Sequence, residues 1–374
     1  MIDWLTRESH IFFNPKLPGA IKDRLKMANL PTLPGHIWLS SSGTTSTSVL
    51  TLYALSKEAL LAAAEAANYH LEVTEKDIWL NVLPHFHVGG IAILARAHLA
   101  RQRIVDRNSV PWSAESFHEW CENERVTLTS LVPTQLFDLV EFGVRAPEKL
   151  RAIVLGGAAT DEILYRRARE LGFNCLPSFG MTECCSQVAT ATLKSLESHE
   201  FPALRVLPHI EVKLDDDGQL AIQSPALFTM RLDFYPDHNE PMWRVGDWYI
   251  TKDRADITQE GDTVSWLKPT GRSDDEIKIS GELVNLAELN KLFHRVSGMS
   301  EVAILSQKDS RRGHEIVVAL PEEAILASAK WIEAFNREVV PVGKIMASYF
   351  VEKIPRTELG KVRVAELRET LGLK

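Results

Sequence analysis

The chain has 374 residues, 45% of them hydrophobic and 25% charged, with a formal net charge of −8 and a sequence pI near 5.9. That length exceeds what one core usually supports, so two domains are expected. The acidic balance argues against nucleic acid or an anionic membrane surface as the main partner. No apolar run reaches the ~20 residues of a bilayer span, so no membrane insertion is expected. Cys121, Cys175, Cys184 and Cys185 form neither a CxxC pair nor a regular framework. Reduced thiols in a cytoplasmic protein are therefore expected. The opening MIDWLTRESH lacks a basic segment followed by an apolar run, which predicts no signal peptide.

In chain order, residues 56–71 place Leu60, Ala63, Ala64 and Ala67 at helical spacing behind Ser56, a suitable N-cap. The runs at 78–84 (IWLNVLP), 126–133 (VTLTSLVP) and 151–157 (RAIVLGG) read as buried strands that end in loops. Residues 161–171 predict a second helix. Strands alternating with helices make this part α/β, with active loops at strand ends. Residues 209–214 and 219–223 then flank Asp216-Asp217-Gly218, a hairpin signal. With short strands expected at 243–252 and 263–267, an antiparallel β-subdomain follows. Beyond 271–275 the pattern is mixed, with strands near 302–305, 315–320 and 348–351 and helices near 286–295 and 327–338. The expected domains are a large one at 1–273 and a small α+β one at 274–374.

Five stretches carry chemistry. The first is Leu39-Ser40-Ser41-Ser42-Gly43-Thr44-Thr45-Ser46-Thr47-Ser48. Small hydroxyl residues around a glycine let N–H and O–H groups converge on phosphate oxygens, although the lysine and spacing of a Walker A loop are absent. The second is Ser178-Phe179-Gly180-Met181-Thr182-Glu183, following Leu155-Gly156-Gly157-Ala158-Ala159. There Phe179 could cover an adenine ring, Thr182 could bond a phosphate, and Glu183 could hold Mg²⁺ by one carboxylate. The third, Arg244-Val245-Gly246-Asp247-Trp248, offers a carboxylate to vicinal hydroxyls. The fourth is Gly271-Arg272-Ser273-Asp274-Asp275-Glu276-Ile277-Lys278-Ile279-Ser280-Gly281, in which Arg272 brings a planar donor fork. The fifth is Pro355-Arg356-Thr357-Glu358-Leu359-Gly360-Lys361-Val362-Arg363. Each piece alone has a plain reading as a solvated loop, a core aromatic or a surface lysine.

Taken in this order, the five stretches resemble the adenylate-forming superfamily of acyl-CoA ligases, peptide-synthetase adenylation domains and luciferases. The resemblance runs from about Leu39 to Arg363. It implies an enzyme that uses ATP, Mg²⁺ and coenzyme A to join a small-molecule carboxylic acid to a thiol. Ser41, Ser42, Gly43, Thr44 and Thr45 would hold the β- and γ-phosphates. Gly156, Gly157 and Ala158, with Ser178, Phe179 and Gly180, would surround adenine. Thr182 would meet the α-phosphate and Glu183 the Mg²⁺, while Asp247 and Arg272 would hold the ribose. Asp274 matches the hinge of a mobile small domain, Gly281 the glycine beside the pantetheine tunnel, and Lys361 the lysine of the adenylation step.

Leu83-Pro84-His85-Phe86-His87-Val88-Gly89-Gly90 and Ser130-Leu131-Val132-Pro133-Thr134-Gln135-Leu136, with Val154-Leu155-Gly156-Gly157-Ala158-Ala159, are most similar to the o-succinylbenzoate–CoA ligases of menaquinone synthesis. By that similarity Phe86 and His87 gate the acyl pocket, with Gly157 also touching the acid. His85 and His87 could alternatively form an i,i+2 metal pair, for which no third ligand stands at suitable spacing. Two departures stand out. Ser46-Thr47-Ser48-Val49 replaces the family's glycine and Pro-Lys-Gly segment, which implies weaker ATP binding. Only about 40 residues precede the loop, fewer than in the family. The alternatives are a ligase for another aromatic or medium-chain acid, a loader of a carrier protein, or a non-catalytic nucleotide-binding homologue. A homo-oligomer is left open.

Overall fold

The computed structural model describes residues 2–15, 23, 25, 30–40, 50–235, 238–261, 263–273, 276–279, 282–309, 312–357 and 360–373. The chain forms two compact units. One is Met1–Val212 with Ile222–Tyr249 and Thr258–Leu267, and the other is Lys213–Ala221 with Ile250–Ile257 and Lys268–Lys374. As expected, the fold class is α/β.

The first unit is organised by a sheet whose parallel strands run in the order Cys175–Met181, Ala152–Leu155, Leu128–Leu131, Ile78–Asn81, Arg103–Asp106. Ala152–Leu155 and Leu128–Leu131 are buried along their whole length. Burial on both faces is why they read as continuous apolar runs rather than alternating ones. Helices Ala114–Glu124, Pro133–Glu141 and Glu162–Glu170 supply Phe117, Leu136, Leu139 and Tyr165 to the core built on these strands. Ser56 caps Lys57–His70, its Oγ accepting from the Ala59 N–H at 3.0 Å. Asp161 caps Glu162–Glu170 by accepting from the N–H groups of Ile163 and Leu164. Each such cap satisfies amide groups that the helix leaves unpaired.

Antiparallel strands Ser186–Thr190 and Leu204–Val206 extend the sheet beyond Cys175–Met181. A second sheet orders His10–Phe12, His36–Ser40, Leu50–Ser56, Met230–Phe234 and Asn239–Trp243. Where the parallel strands of the first sheet begin, the Asp77 carboxylate gathers Arg151 Nε at 2.7 Å, Thr127 Oγ1 at 2.7 Å and the Thr74 N–H at 2.8 Å. Burial would raise its pKa, but these donors outweigh it and hold the group down to about 2. The four cysteines are buried and free.

The hairpin signal is realised: Glu211–Leu214 and Leu220–Gln223 are neighbouring strands. At their turn Gly218 takes φ +73°, and Asp215 accepts from the N–H groups of Asp217 and Gln219. The strand expected at 243–252 is instead broken in two. Asn239–Trp243 pairs with Met230–Phe234, while Trp248–Ile250 belongs to another sheet. Between them Gly246 turns the chain at φ +74°.

The second unit holds a three-stranded sheet in the order Ala303–Asp309, Gly313–Pro321, Ile345–Val351, the last pair being parallel. Helices Leu286–Ser297 and Ile325–Glu338 pack together through Phe293 and Phe335, edge to face at 5.4 Å. Both rings are fully buried, each stabilising the unit by roughly 2–3 kcal/mol. Asn285 caps the first of these helices and Gly298 ends it in the left-handed region. Among the described residues, no helix is long and apolar enough to cross a membrane.

Candidate active site

The loops after two adjacent parallel strands lock together. Ser178 Oγ donates to the Leu155 carbonyl at 2.7 Å, and the Gly156 N–H reaches the Leu131 carbonyl. A Cβ on Gly156 would stand 3.1 Å from Ser178 Oγ. Gly157 then turns at φ +85°, and Ala158 follows half-buried. This brings the predicted adenine-surrounding residues of the two motifs to one rim.

Further along, Phe179 pairs with Ala189, and a bulge interrupts the ladder at Phe179/Gly180. Gly180 is pressed so close to the facing strand that a Cβ would lie 2.0 Å from the Ser186 carbonyl oxygen. Thr182–Cys184 then forms one 3₁₀ turn, leaving Thr182 buried. Cys185 and Ser186 follow at φ +51° and +112°, a conformation side-chain-bearing residues rarely adopt. Such strain concentrates at functional turns.

Glu183 leaves this turn half-buried, and its Oε1 accepts from the Tyr53 hydroxyl at 2.9 Å. Burial, with the Glu183 charge next, pushes the Tyr53 hydroxyl far above its ordinary range, so it remains a protonated donor. The Glu183 carbonyl accepts from the Phe228 N–H at 2.8 Å. The Phe228 ring stands edge-on to Tyr53 and Tyr249, 5.2 Å from each. No other partner for the Glu183 carboxylate occurs among the described residues. One oxygen is therefore held and the other is available, which suits a cation bound through a single carboxylate.

Arg244 continues the cluster, its Nε donating to the Phe228 carbonyl at 3.0 Å. With Asp247 it lines a pocket of about 470 Å³ shared with Pro208, His209, Glu211, Gln223, Ser224 and Pro225. Burial lowers the His209 pKa to about 4, keeping this ring neutral at physiological pH.

On another strand end, Phe86 and His87 touch with ring centroids 4.6 Å apart. His87 is the N-cap residue of helix Val88–Leu99. Gly90 lets that helix press against the loop, because a Cβ there would lie 2.4 Å from the Pro84 carbonyl oxygen. His85 Nε2 lies 3.0 Å from Asp106 Oδ2, without an aligned hydrogen bond, and its ring meets Phe12 edge-on. These contacts make His85 a packed side chain beside Asp106 and Phe12. No group of three His, Cys, Asp or Glu suited to a metal occurs among the described residues.

The same helix carries Arg96, which the sequence reading did not single out. Arg96 is 2% exposed, and its guanidinium lies over the Trp79 ring at 5.6 Å. It forms no ion pair or side-chain hydrogen bond among the described residues, and its buried Nε lacks a partner. Burial alone lowers its pKa to about 10, so it stays charged. Tyr53 was also missed, since its partner Glu183 is 130 residues away.

In the second unit, Arg272 Nη1 donates to Asp253 Oδ1 at 3.3 Å. Gly271 packs beneath the capping Asn285, whose Nδ2 would be 2.9 Å from a Cβ there. Lys361 is exposed, and its N–H reaches Thr357 Oγ1 at 3.1 Å. Ser41, Ser42, Gly43, Thr44, Thr45, Asp274 and Gly281 lie outside the described residues.

Residues 39–228 match the family model described as AMP-binding enzyme. The 2-succinylbenzoate–CoA ligase of Listeria monocytogenes serotype 4b (strain F2365) is 26% identical over 319 residues, 82% of this chain and 64% of that protein. The enzyme of the same description from Staphylococcus aureus (strain Newman) is 27% identical over 292 residues, 76% of this chain and 57% of its own length. The chain thus spans less than two thirds of these curated relatives. Among solved structures, the Bacillus subtilis o-succinylbenzoate CoA synthetase bound to its acyl-adenylate intermediate aligns with a TM-score of 0.74 at 23% identity, over 89% of this chain and 68% of that one. The same enzyme with ATP and magnesium ion aligns at 0.70 and 22% identity, over 90% and 69%. The amide bond synthetase McbA from Marinactinospora thermotolerans aligns at 0.72 and 22% identity, over 91% and 71%.

Proposed function

This chain belongs to the family of AMP-binding enzymes, and from that premise we propose that it is an ATP-dependent acid–CoA ligase acting on o-succinylbenzoate. The carboxylate attacks the α-phosphate of ATP and pyrophosphate leaves. The CoA thiol then displaces AMP from the acyl-adenylate. The observation that carries this reading is the Tyr53–Glu183–Phe228–Arg244 cluster, set beside the interlocked Gly156 and Ser178 loops. It joins a carboxylate with one available oxygen to a rim of small residues and to the pocket of Asp247.

In this reading Gly156, Gly157, Ala158, Ser178, Phe179 and Gly180 surround adenine, and Asp247 with Arg272 binds the ribose. Thr182 donates to the α-phosphate and the 41–45 loop meets the outer phosphates. Glu183 holds Mg²⁺, which supplies neutralisation of phosphate charge. Tyr53 fixes the carboxylate so that little reorganisation is left for the reaction. Lys361, on the proposed small domain at 274–374, supplies the cation for charge developing in adenylation. Asp274 serves as that domain's hinge and Gly281 borders the path of CoA. Compartment follows the same reading: four buried free thiols suit the cytoplasm.

Phe86 and His87 gate the acid. For the acid's second carboxylate we assign Arg96. An unpaired buried cation is costly, and an anionic substrate group offsets that cost. A pyrophosphate-release assay with o-succinylbenzoate, benzoate and medium-chain acids, with and without CoA, tests the whole. Release should be greatest with o-succinylbenzoate, and acyl-CoA should appear only when CoA is present. Comparable turnover of benzoate would sink the substrate assignment, and no release with any acid would sink the ligase.

A further inference from the structure

We infer that Arg356 is the positioning residue for Lys361, holding the segment that delivers its ammonium; this rests on the adenylation role of Lys361 proposed above. Arg356 is largely buried, its side chain 20% exposed, and its guanidinium serves three partners. Nε meets Glu301 Oε1 at 3.0 Å, Nη2 meets the Ser300 carbonyl at 2.8 Å, and Nη1 meets the Gly360 carbonyl at 2.8 Å. The first two belong to the chain just before strand Ala303–Asp309. The third belongs to the residue immediately before Lys361. One side chain therefore ties the lysine's own peptide to the body of its unit.

The backbone around Lys361 is fixed from the other side as well. Arg356 and Val362 form an antiparallel bridge. The Thr357 N–H reaches the Lys361 carbonyl at 2.7 Å, and the Gly360 N–H reaches the Thr357 carbonyl at 2.9 Å. The Lys361 N–H donates to Thr357 Oγ1. Gly360 adopts φ +80°, the left-handed region open to glycine. Both backbone groups of Lys361 are thus engaged while its side chain remains exposed. Only a planar fork with several donors reaches three separate oxygens in this way. A lysine at 356 presents one point charge and cannot serve all three.

The two half-reactions separate positioning from scaffolding. Adenylation is followed by rapid-quench pyrophosphate release, and thioester formation by supplying the acyl-adenylate with CoA. Arg356→Met should slow adenylation by roughly tenfold to a hundredfold, the range for a catalytic group displaced by about 1 Å. Transfer from supplied acyl-adenylate should stay within about twofold of the unaltered protein, as expected where Lys361 does not act. In a Lys361→Ala background the same Arg356→Met change should add nothing. Should Arg356→Met fail to fold, Arg356→Lys and Glu301→Gln remove part of the clamp, and both should slow adenylation selectively. Equal losses in the two half-reactions, a full additive loss in the double variant, or no loss in adenylation overturns the inference. If Lys361→Ala alone leaves adenylation unchanged, the lysine's proposed role fails first, and this inference with it.

Discussion

Adding one methyl group at Gly180 tests whether the close pairing beside the candidate site sets its geometry. A Cβ there would lie 2.0 Å from the Ser186 carbonyl oxygen, 2.7 Å from its carbon and 3.1 Å from Gln187 Cα. A carbon–oxygen contact settles near 3.3 Å, so the facing backbone must retreat by about 1 Å. All three obstructing atoms are backbone, and Ser186 already sits at φ +112°, so relief cannot come from a side-chain rotation. The cost of Gly180→Ala should therefore lie at the upper end of overpacking, about 3 kcal/mol. Gly156→Ala is the control. Its Cβ meets only the Ser178 hydroxyl, at 3.1 Å, which can turn away by giving up its bond to Leu155, at about 1 kcal/mol. Urea unfolding monitored for both variants measures the difference. Adenylation by Gly180→Ala should also fall about a hundredfold, because Phe179 adjoins the displaced residue and Thr182 follows it by two positions. A Gly180→Ala protein as stable as Gly156→Ala, with unchanged pyrophosphate release, would refute this account of the bulge.

Other outcomes follow from the same geometry. Tyr53→Phe should raise the Mg²⁺ concentration needed for half-maximal adenylation several-fold and Glu183→Gln should raise it further, by titration of pyrophosphate release; unchanged Mg²⁺ dependence in both would remove the pair from the metal site. Arg96→Gln should cut kcat/KM for o-succinylbenzoate by about a hundredfold or more, given a charge-assisted contact of ~3 kcal/mol, while sparing benzoate; equal losses on the two acids would mean that Arg96 is only structural. The Asp77 carboxylate has a depressed folded-state pKa, so its contribution is present above pH 3.8 and disappears as pH falls through about 2. Asp77→Asn should cost on the order of 2 kcal/mol at pH 7 and flatten the acid limb of a stability profile; an unchanged acid limb contradicts the linkage.

How much of this was legible in the sequence depended on the range of the interaction. The parallel strands announced themselves because IWLN, LTSL and AIVL are buried runs. Helices Lys57–His70 and Glu162–Glu170 were legible through Ser56 and Asp161, their local caps. Helix Val88–Leu99 opens on Val88-Gly89-Gly90, poor helix formers whose glycines answer to the packing of Leu83 and Pro84. The residues proposed for the chemistry, from Gly156 to Lys361, stood out through the order of their motifs rather than through local pattern. What escaped was the support behind them. Tyr53 to Glu183 and Arg356 to Glu301 span 130 and 55 residues, and no short-range periodicity encodes a contact made only on folding.

The buried thiols have a practical side. Cys175 and Cys184 are fully enclosed, and burial pushes both up to about 12, with Cys121 and Cys185 raised as well. Few thiolates exist at neutral pH and none is accessible, so the native protein should be silent to maleimides. A single cysteine introduced at an exposed position such as Lys330 would then carry a fluorophore without any native cysteine being removed. Paired with a second label at another exposed position, it would test the proposed hinge by recording whether a distance changes when substrate is added.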